Sequence, residues 1–517
     1  MLKKINLKNL FENIAVGIFL VFLITVFIIA NIYNLQVIKY NYYTKFSIIV
    51  VGISFFIPLL IARLNLPITD YQKKIWIPIL LFIISFVIRY FVAGIIGVNS
   101  HQVSDFQKAF YYAQPERSFI GSEYETLPTW GFYAWILQRI CSIFGYSEWA
   151  IIMVNVFLQA MSVVLIYYIA FLASNNNFKI SMYAAIFYSI WPIHIFYNII
   201  LSPEHFYIFF SLLSILLVII VIKKIKGIKA GLIVWGCAGS LLGIAGMFKA
   251  LEKISLIAAF ILIILEFIVS VKNRKKINWR YIISNKVYVI GFILMLVIYQ
   301  LTTIVGYKFM DYIVGVPVNR NTLPLYLAVG LTSTADDGTG YYGNLYLQLT
   351  KSTNYDYKKV SAVLLKELKE EIVSKKHLNV DYFGRKFVIT WGTSGYFYWL
   401  TETINTQDVA INPKVWVNIW FQIMQLYWVM IIGMCIVSTL YAFSSSNRNY
   451  LLLFSMIIII GFAIFSIFIG VQDRYKNVLY PQFSILAGYG YYIIAELCFK
   501  IENKLCVSTR KGKGENI

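Results

Sequence analysis

The chain has 517 residues, 59% of them hydrophobic and only 13% charged, with a formal net charge of +21 and a mean hydropathy of +0.70. Apolar content at that level excludes a soluble globular protein, so the bilayer must be the solvent for most of the chain. The basic excess would suggest nucleic acid in a soluble chain, but here it lies in clusters between greasy segments, where it reads as a topology signal and gives no argument for a nucleic-acid partner.

A helix needs about 20 apolar residues to cross a bilayer. Segments of that kind are predicted near 13–33, 46–64, 75–97, 148–173, 181–200, 205–222, 231–248, 254–271, 287–306, 416–441, 450–471 and 477–497, about twelve in all. No small-residue cleavage pattern follows the first, which is predicted as a retained span and not a signal peptide. Lys3, Lys4 and Lys8 precede it, and Arg63, Lys73 and Lys74 lie between spans two and three. Further clusters at 223–229, 272–286 and 500–513 fall on the same side if both termini are cytoplasmic, as the positive-inside rule requires. They orient the protein and contact anionic membrane lipid. The cysteines Cys141, Cys237, Cys435, Cys498 and Cys506 are scattered and describe neither a disulfide framework nor a metal site.

The expected fold is therefore an all-α polytopic membrane protein of about twelve transmembrane helices, with interfacial helices and a mixed outer-face domain. Residues 1–74 supply two N-terminal spans. Residues 75–306 form a transmembrane core with an outer loop at 98–147, residues 307–414 an extracytoplasmic loop domain, and residues 415–517 the last spans and a basic cytoplasmic tail.

This orientation brings several ionisable turns to the outer face: SPEH at 202–205, FKALEK at 248–253 and QDRYK at 472–476. In the loop 98–147, Ser104 and Gln107 have the spacing of a capping box, and Phe106, Ala109, Phe110 and Ala113 make an apolar stripe. A second stripe follows Pro128, from Trp130 to Phe144. Helices of this kind lie at headgroup depth, where a lipid-linked substrate presents its reactive end.

The order of these features resembles the GT-C class of polytopic glycosyltransferases, in particular the protein O-mannosyltransferase and aminoarabinose transferase relatives. The resemblance is carried by DFQKAFYYA at 105–113, LPTWGFYAWILQRICSIFG at 127–145, SPEHF at 202–206, GSLLGIAGMFKALEKI at 239–254 and RYKNVLYPQFSILAGYG at 474–490. It covers most of residues 75–500. The chain differs in having two spans before the motif-bearing loop and one Asp where many relatives carry two adjacent acids, so that loop gives no ground for expecting a metal. The resemblance implies transfer of a sugar, with inversion, from a polyprenyl-phosphate carrier to an acceptor at the outer face of the cell membrane. The acceptor class is a cell-envelope glycan, a glycolipid or a secreted protein. No cofactor is indicated; a divalent metal is compatible with the class but nothing points to one.

Such a reaction needs one base for the acceptor hydroxyl and cations for the departing phosphate. Asp105 is the candidate base, although an Asp in a first helical turn also suits the macrodipole. Glu204 is the second candidate catalytic acid, with a helix-start role as the alternative. Lys249 and Arg474 are candidate phosphate ligands, against snorkelling for Lys249 and a pair with Asp473 for Arg474. His205, Tyr112 and Tyr475 are further substrate-binding candidates, and Glu252 and Lys253 are expected to pair with each other. Gly239, Gly243 and Gly246 are expected to serve close helix packing. Asp336 and Asp337 read as a turn, and Glu371 with Lys375 as an i,i+4 pair on a solvated helix. No nucleotide, zinc or serine-triad motif stands out.

Two rival readings remain. A flippase or transporter of lipid-linked sugars would show central charges or broken helices in related halves, and the spans are expected to lack central charges. A polysaccharide polymerase or ligase differs only in the donor.

Overall fold

The computed structural model describes residues 7–37, 42–63, 69–96, 102–120, 122–225, 227–272, 279–331, 352–353, 356–374, 379–395, 413–444, 450–470 and 472–514. Its elements, in order, are α1 (Leu7–Val37), α2 (Tyr42–Arg63), a π-helical turn (Gln72–Trp76) running into α3 (Ile77–Ile96), α4 (Ser104–Tyr112), α5 (Pro128–Phe144), α6 (Glu148–Ala173), α7 (Phe178–Ser189), α8 (Pro192–Phe196), α9 (Glu204–Lys223), α10 (Ile228–Phe248), α11 (Glu252–Lys272) and α12 (Trp279–Val314). Then come α13 (Leu323–Leu331), α14 (Tyr357–Ser374), α15 (Val380–Gly392), α16 (Pro413–Ser444), α17 (Tyr450–Phe468) and α18 (Tyr480–Gly514). Three 3₁₀ turns join them, at Glu123–Glu125, Tyr197–Ile199 and Asp473–Leu479. No strand occurs among the described residues, and the protein is an all-α polytopic membrane protein as the composition requires.

Fewer than the expected twelve segments pass the length and apolarity test among the described residues. Among the described residues eight helices are long and apolar enough to span, or nine if the bent pair α7–α8 is one span. The apolar stretches of α2 and α17 are shorter, at Lys45–Leu60 and Leu452–Phe468. A helix satisfies its backbone internally, which is why lipid tolerates it. Its two faces then differ by neighbour. On α1, Val16, Phe19, Leu23, Val26 and Ala30 recur at helical spacing and are buried, while Ile14, Ile18, Val21 and Ile28 are exposed on the perimeter where lipid lies.

Close approach between α10 and α12 depends on glycine. A Cβ on Gly239 would stand 2.3 Å from the Met295 carbonyl oxygen, and one on Gly243 would stand 2.8 Å from Thr302 Cβ. Packing of this kind is what holds helices together where lipid removes the hydrophobic drive.

The fifth apolar segment is broken. The axes of α7 and α8 diverge by 56°, and Pro192 opens α8 because it has no N–H to continue α7. The break frees two carbonyls inside the apolar layer. Arg89 of α3, fully buried, donates to both: 3.0 Å to Ser189 O and 3.2 Å to Tyr188 O, with Ser85 Oγ as a third partner. A charge therefore does lie inside a span, Gln72–Ile96, contrary to expectation; donors are needed there because lipid offers none.

The loop between α3 and α6 is tied down by its own polar residues. Lys108 meets Glu123 at 2.9 Å, and Gln138 Nε2 donates to Gln114 O and Arg117 O at 2.9 and 3.0 Å. The Ser104–Gln107 capping box does not form. Ser104 is already inside the helix at φ +54°, Val103 takes the cap position, and no side chain closes the first turn. Between α12 and α16, Val360, Leu364 and Leu368 of α14 pack on Leu325, Ala328 and Val329 of α13. Asp336, Asp337 and Lys375 lie outside the described residues; on α14 the i,i+4 pair seen is Lys366 with Glu370, at 3.9 Å.

Candidate active site

Four chain segments far apart in sequence meet at one end of the bundle. Asp105 stands in the first turn of α4 with its side chain half exposed (46%), and Phe106 beneath it is fully buried. The residue before it, Ser104, holds a left-handed backbone, a conformation that costs a non-glycine residue about 1–3 kcal/mol and tends to survive where a side chain must be aimed.

Arg474 reaches the same place from the 3₁₀ turn between α17 and α18. Its Nη2 lies 3.8 Å from Asp105 Oδ2, its guanidinium covers the Phe106 ring at 5.0 Å and the Tyr475 ring at 5.6 Å, and its Nε donates to Gln472. The Tyr475 ring is shared: Lys249 Nζ lies 4.9 Å from its centroid. Lys249 in turn is ion-paired with Glu204, which is 2% exposed. Ser202 donates to Glu204 as well and shares a 2.6 Å hydrogen bond with the Tyr197 hydroxyl.

These positions follow from local structure. Helix α10 ends at Phe248, so Lys249 is the first residue outside the span, in extended backbone (φ −156°, ψ 127°). Burial lowers the Lys249 pKa below the ordinary lysine value; Glu204 pulls the other way and Arg474 adds to the lowering. Pro203 precedes Glu204, so α9 starts with a carboxylate in its first turn, where the helix dipole favours it.

The structure does not bring all the expected residues here. His205 is fully buried, and its ring nitrogens are engaged by Gln159 at 3.1 Å and Ile200 O at 3.2 Å. Tyr112 is two helical turns beyond Asp105 and packs on Phe119 and Tyr124, with ring centroids 5.4 and 4.9 Å away. Glu252 accepts from the Tyr299 hydroxyl at 2.7 Å instead of pairing with Lys253. Gln472, Ser202 and Tyr197 were not singled out from sequence as members of the cluster; Gln472 and Ser202 each bond a charged residue that was, and Tyr197 bonds Ser202. Gln102 is another. It accepts from Leu201 N at 3.0 Å and donates to Ile199 O at 2.9 Å, clipping the strand of chain that carries Ser202 and Glu204 to the start of the Asp105 loop.

A carboxylate partly open to solvent, two cations and a phenol ring between them can accept a proton and hold an anion. One turn further into the bundle is a small cavity lined by Tyr207, Leu251, Ile254, Phe462, Val478 and Gln482 among others. Among the described residues no three His, Cys, Asp or Glu side chains are grouped as metal ligands.

Residues 132–301 match the family model described as dolichyl-phosphate-mannose-protein mannosyltransferase, which bears out the resemblance drawn from the sequence. The matched stretch runs from within α5 into α12 and contains Glu204 and Lys249, while Asp105 and Arg474 lie outside it. No curated protein matches the chain. Among solved structures, the apo oligosaccharyltransferase of Archaeoglobus fulgidus is similar with a TM-score of 0.43 and 11% identity, covering 84% of this chain and 53% of that one. The archaeal oligosaccharyltransferase AglB from the same organism, in complex with an inhibitory peptide and a dolichol-phosphate, gives 0.40 and 12%, covering 85% and 52%. ArnT from Cupriavidus metallidurans, bound to undecaprenyl phosphate, gives 0.29 and 13%, covering 81% and 77%. The chain spans about half the length of the oligosaccharyltransferase chains it is similar to.

Proposed function

We propose that this multi-pass membrane protein is a glycosyltransferase that moves a sugar from a polyprenyl-phosphate carrier to an acceptor hydroxyl at the extracytoplasmic face. The observation that carries the reading is the convergence of Asp105, Arg474 and Lys249 around Tyr475 at the boundary of the spans. The family match supports the reaction class, and the distribution of lysine and arginine supports the side.

In this reaction the acceptor oxygen attacks the anomeric carbon, the bond from that carbon to the phosphate oxygen breaks, and the acceptor proton passes to Asp105. The polyprenyl phosphate leaves with one more negative charge than the donor carried. Arg474 and Lys249 hold that developing charge; a guanidinium offers a planar pair of donors to two phosphate oxygens. The 3.8 Å separation of Arg474 from Asp105 is long for a charge-assisted hydrogen bond. A donor phosphate therefore competes well for Arg474 and leaves Asp105 to the acceptor. Glu204 keeps Lys249 charged and aimed and touches no substrate in this scheme.

Purified full-length protein with a labelled polyprenyl-phosphate sugar tests the assignment. Asp105→Asn is expected to lower transfer by at least about 100-fold; full activity in that variant would sink the role given to Asp105. The transporter reading has two observations in its favour, the broken α7–α8 pair and the intramembrane Arg89. Both Arg89 Nη atoms are engaged by the carbonyls the break exposes and by Ser85, so that cation serves the fold. Comparing lipid-linked sugars and envelope glycans with and without the gene separates a transferase, which leaves its monosaccharide donor to accumulate, from a polymerase or ligase, which leaves an oligosaccharide.

A further inference from the structure

The turn that presents Arg474 is bolted at its other side. In Asp473–Leu479, Arg474 and Tyr475 face the cluster, while Lys476, fully buried, runs into the C-terminal end of α15. A helix ends with carbonyls that have no partner within it, and here the end is deep in the protein, with Trp391 and Ser394 wholly buried. Side chains from other elements take these carbonyls one by one. Lys476 Nζ donates to Thr390 O at 2.7 Å and also to Thr393 O. Trp428 Nε1 takes Trp391 O at 3.1 Å, Gln425 takes Gly392 O at 2.8 Å, and the Tyr480 hydroxyl takes Ser394 O at 2.6 Å.

Of these four side chains Lys476 is the basic one, a residue type that suits a helix C-terminus, and it shares its 3₁₀ turn with Arg474. The fit is tight: the chain leaving α15 passes Gly395 at φ +93°, where a Cβ would stand 3.0 Å from Asp473 O and 3.2 Å from Lys476 Cε. The other end of α15 is anchored in the same way. Lys386 Nζ and the Tyr382 hydroxyl both donate to Gly330 O, the lysine at 2.6 Å. Helix α15 is thus a strut between α13 and the turn that carries Arg474.

We propose that Lys476 is a positioning residue for the transfer reaction: by capping the buried end of α15 it fixes the Asp473–Leu479 turn, and with it the place of the Arg474 guanidinium beside Asp105. The inference rests on the reading of Arg474 as a phosphate ligand given above. It is tested by a double-mutant cycle on the full-length protein, with polyprenyl phosphate binding and transfer kinetics read side by side. Lys476→Met should weaken polyprenyl phosphate binding about 10- to 100-fold in the wild-type background and less than about 3-fold when Arg474 is already alanine, because both changes remove one contact. If Lys476→Met does not fold, Lys476→Gln, neutral and one bond shorter than lysine and so a weaker cap for the two carbonyls, is read in the same cycle. An equal loss in both backgrounds, or a folded variant with unchanged binding, overturns the positioning role. Wild-type protein that transfers sugar while the cycle is additive keeps the proposed function and removes only this inference. Coupled binding without transfer does the reverse, and wild-type protein that binds no polyprenyl phosphate overturns both.

Discussion

Replacing Lys249 by Met separates what the lysine does for the fold from what it does for a substrate. Glu204 is 2% exposed, so loss of the ammonium leaves a buried carboxylate held by the Ser202 hydroxyl, its own backbone N–H and the Arg474 charge. Breaking a buried pair in this way costs about 3–5 kcal/mol. The reverse change, Glu204→Gln, costs less, about 2 kcal/mol, because a flexible lysine that is 17% exposed can still turn its head towards water. In the double variant neither charge remains, and stability should return to within about 1–2 kcal/mol of wild type. Activity should not return. A cation lost from a developing phosphate charge costs about 10²–10³ in rate, and the double variant should stay that far down. Unfolding followed by intrinsic fluorescence in detergent gives the first quantity, and transfer from a labelled polyprenyl-phosphate sugar gives the second. Recovery of activity to within about tenfold in the double variant would mean that Lys249 does no more than neutralise Glu204.

Arg89→Leu leaves the carbonyls of Tyr188 and Ser189 without their donors in the apolar layer; at about 1–3 kcal/mol for each buried unsatisfied group, unfolding in detergent should show a loss of about 2–6 kcal/mol. Ser104→Gly should be neutral or stabilising by up to about 1 kcal/mol, since relief of the left-handed backbone slightly outweighs the added freedom of the unfolded chain. Ser104→Val, β-branched at the same φ, should destabilise by about 2 kcal/mol. Burial lowers the Lys386 pKa to about 7. Between pH 7 and the ordinary lysine value the unfolded chain then binds the extra proton, so stability of the α15 contacts rises with pH in that window, by at most about 1.4 kcal/mol per pH unit, and flattens below it. Protease resistance around residues 379–395 should rise from pH 7 to pH 9 in wild type and change less in Lys386→Met.

The spans and the polar turns were legible because apolar length and charge placement are one-dimensional properties of a sequence. The bend in the fifth was not, because apolarity reads straight through the break at Pro192: hydropathy says nothing about φ and ψ. The helix start at Val103 escaped for a similar reason. Ser104 has the right side chain for a cap and the wrong backbone, and only the fold decides which matters. His205 was kept as the chain neighbour of Glu204, whereas side chains on successive positions of a helix face different neighbours; Tyr112 came with the stretch 105–113 and lies two turns along α4 from Asp105, where its contacts are Phe119 and Tyr124. Lys476 stood in the quoted QDRYK turn and still gave no signal, since its partners are backbone carbonyls and every residue has one.

That contrast yields a rule for sorting buried cations in a chain such as this one. Lys249 and Arg474 face carboxylates, Glu204 and Asp105. A substrate phosphate can replace a carboxylate as partner without orphaning anything that water or an acceptor cannot satisfy, so these cations are available to chemistry. Arg89, Lys386 and Lys476 face helix-end carbonyls. Turning any of them towards a phosphate would leave a buried carbonyl unpaired at about 1–3 kcal/mol each, so they stay where they are and hold the backbone that aims the others. A cation's partner, not its burial, separates the groups that act on substrate from those that position them.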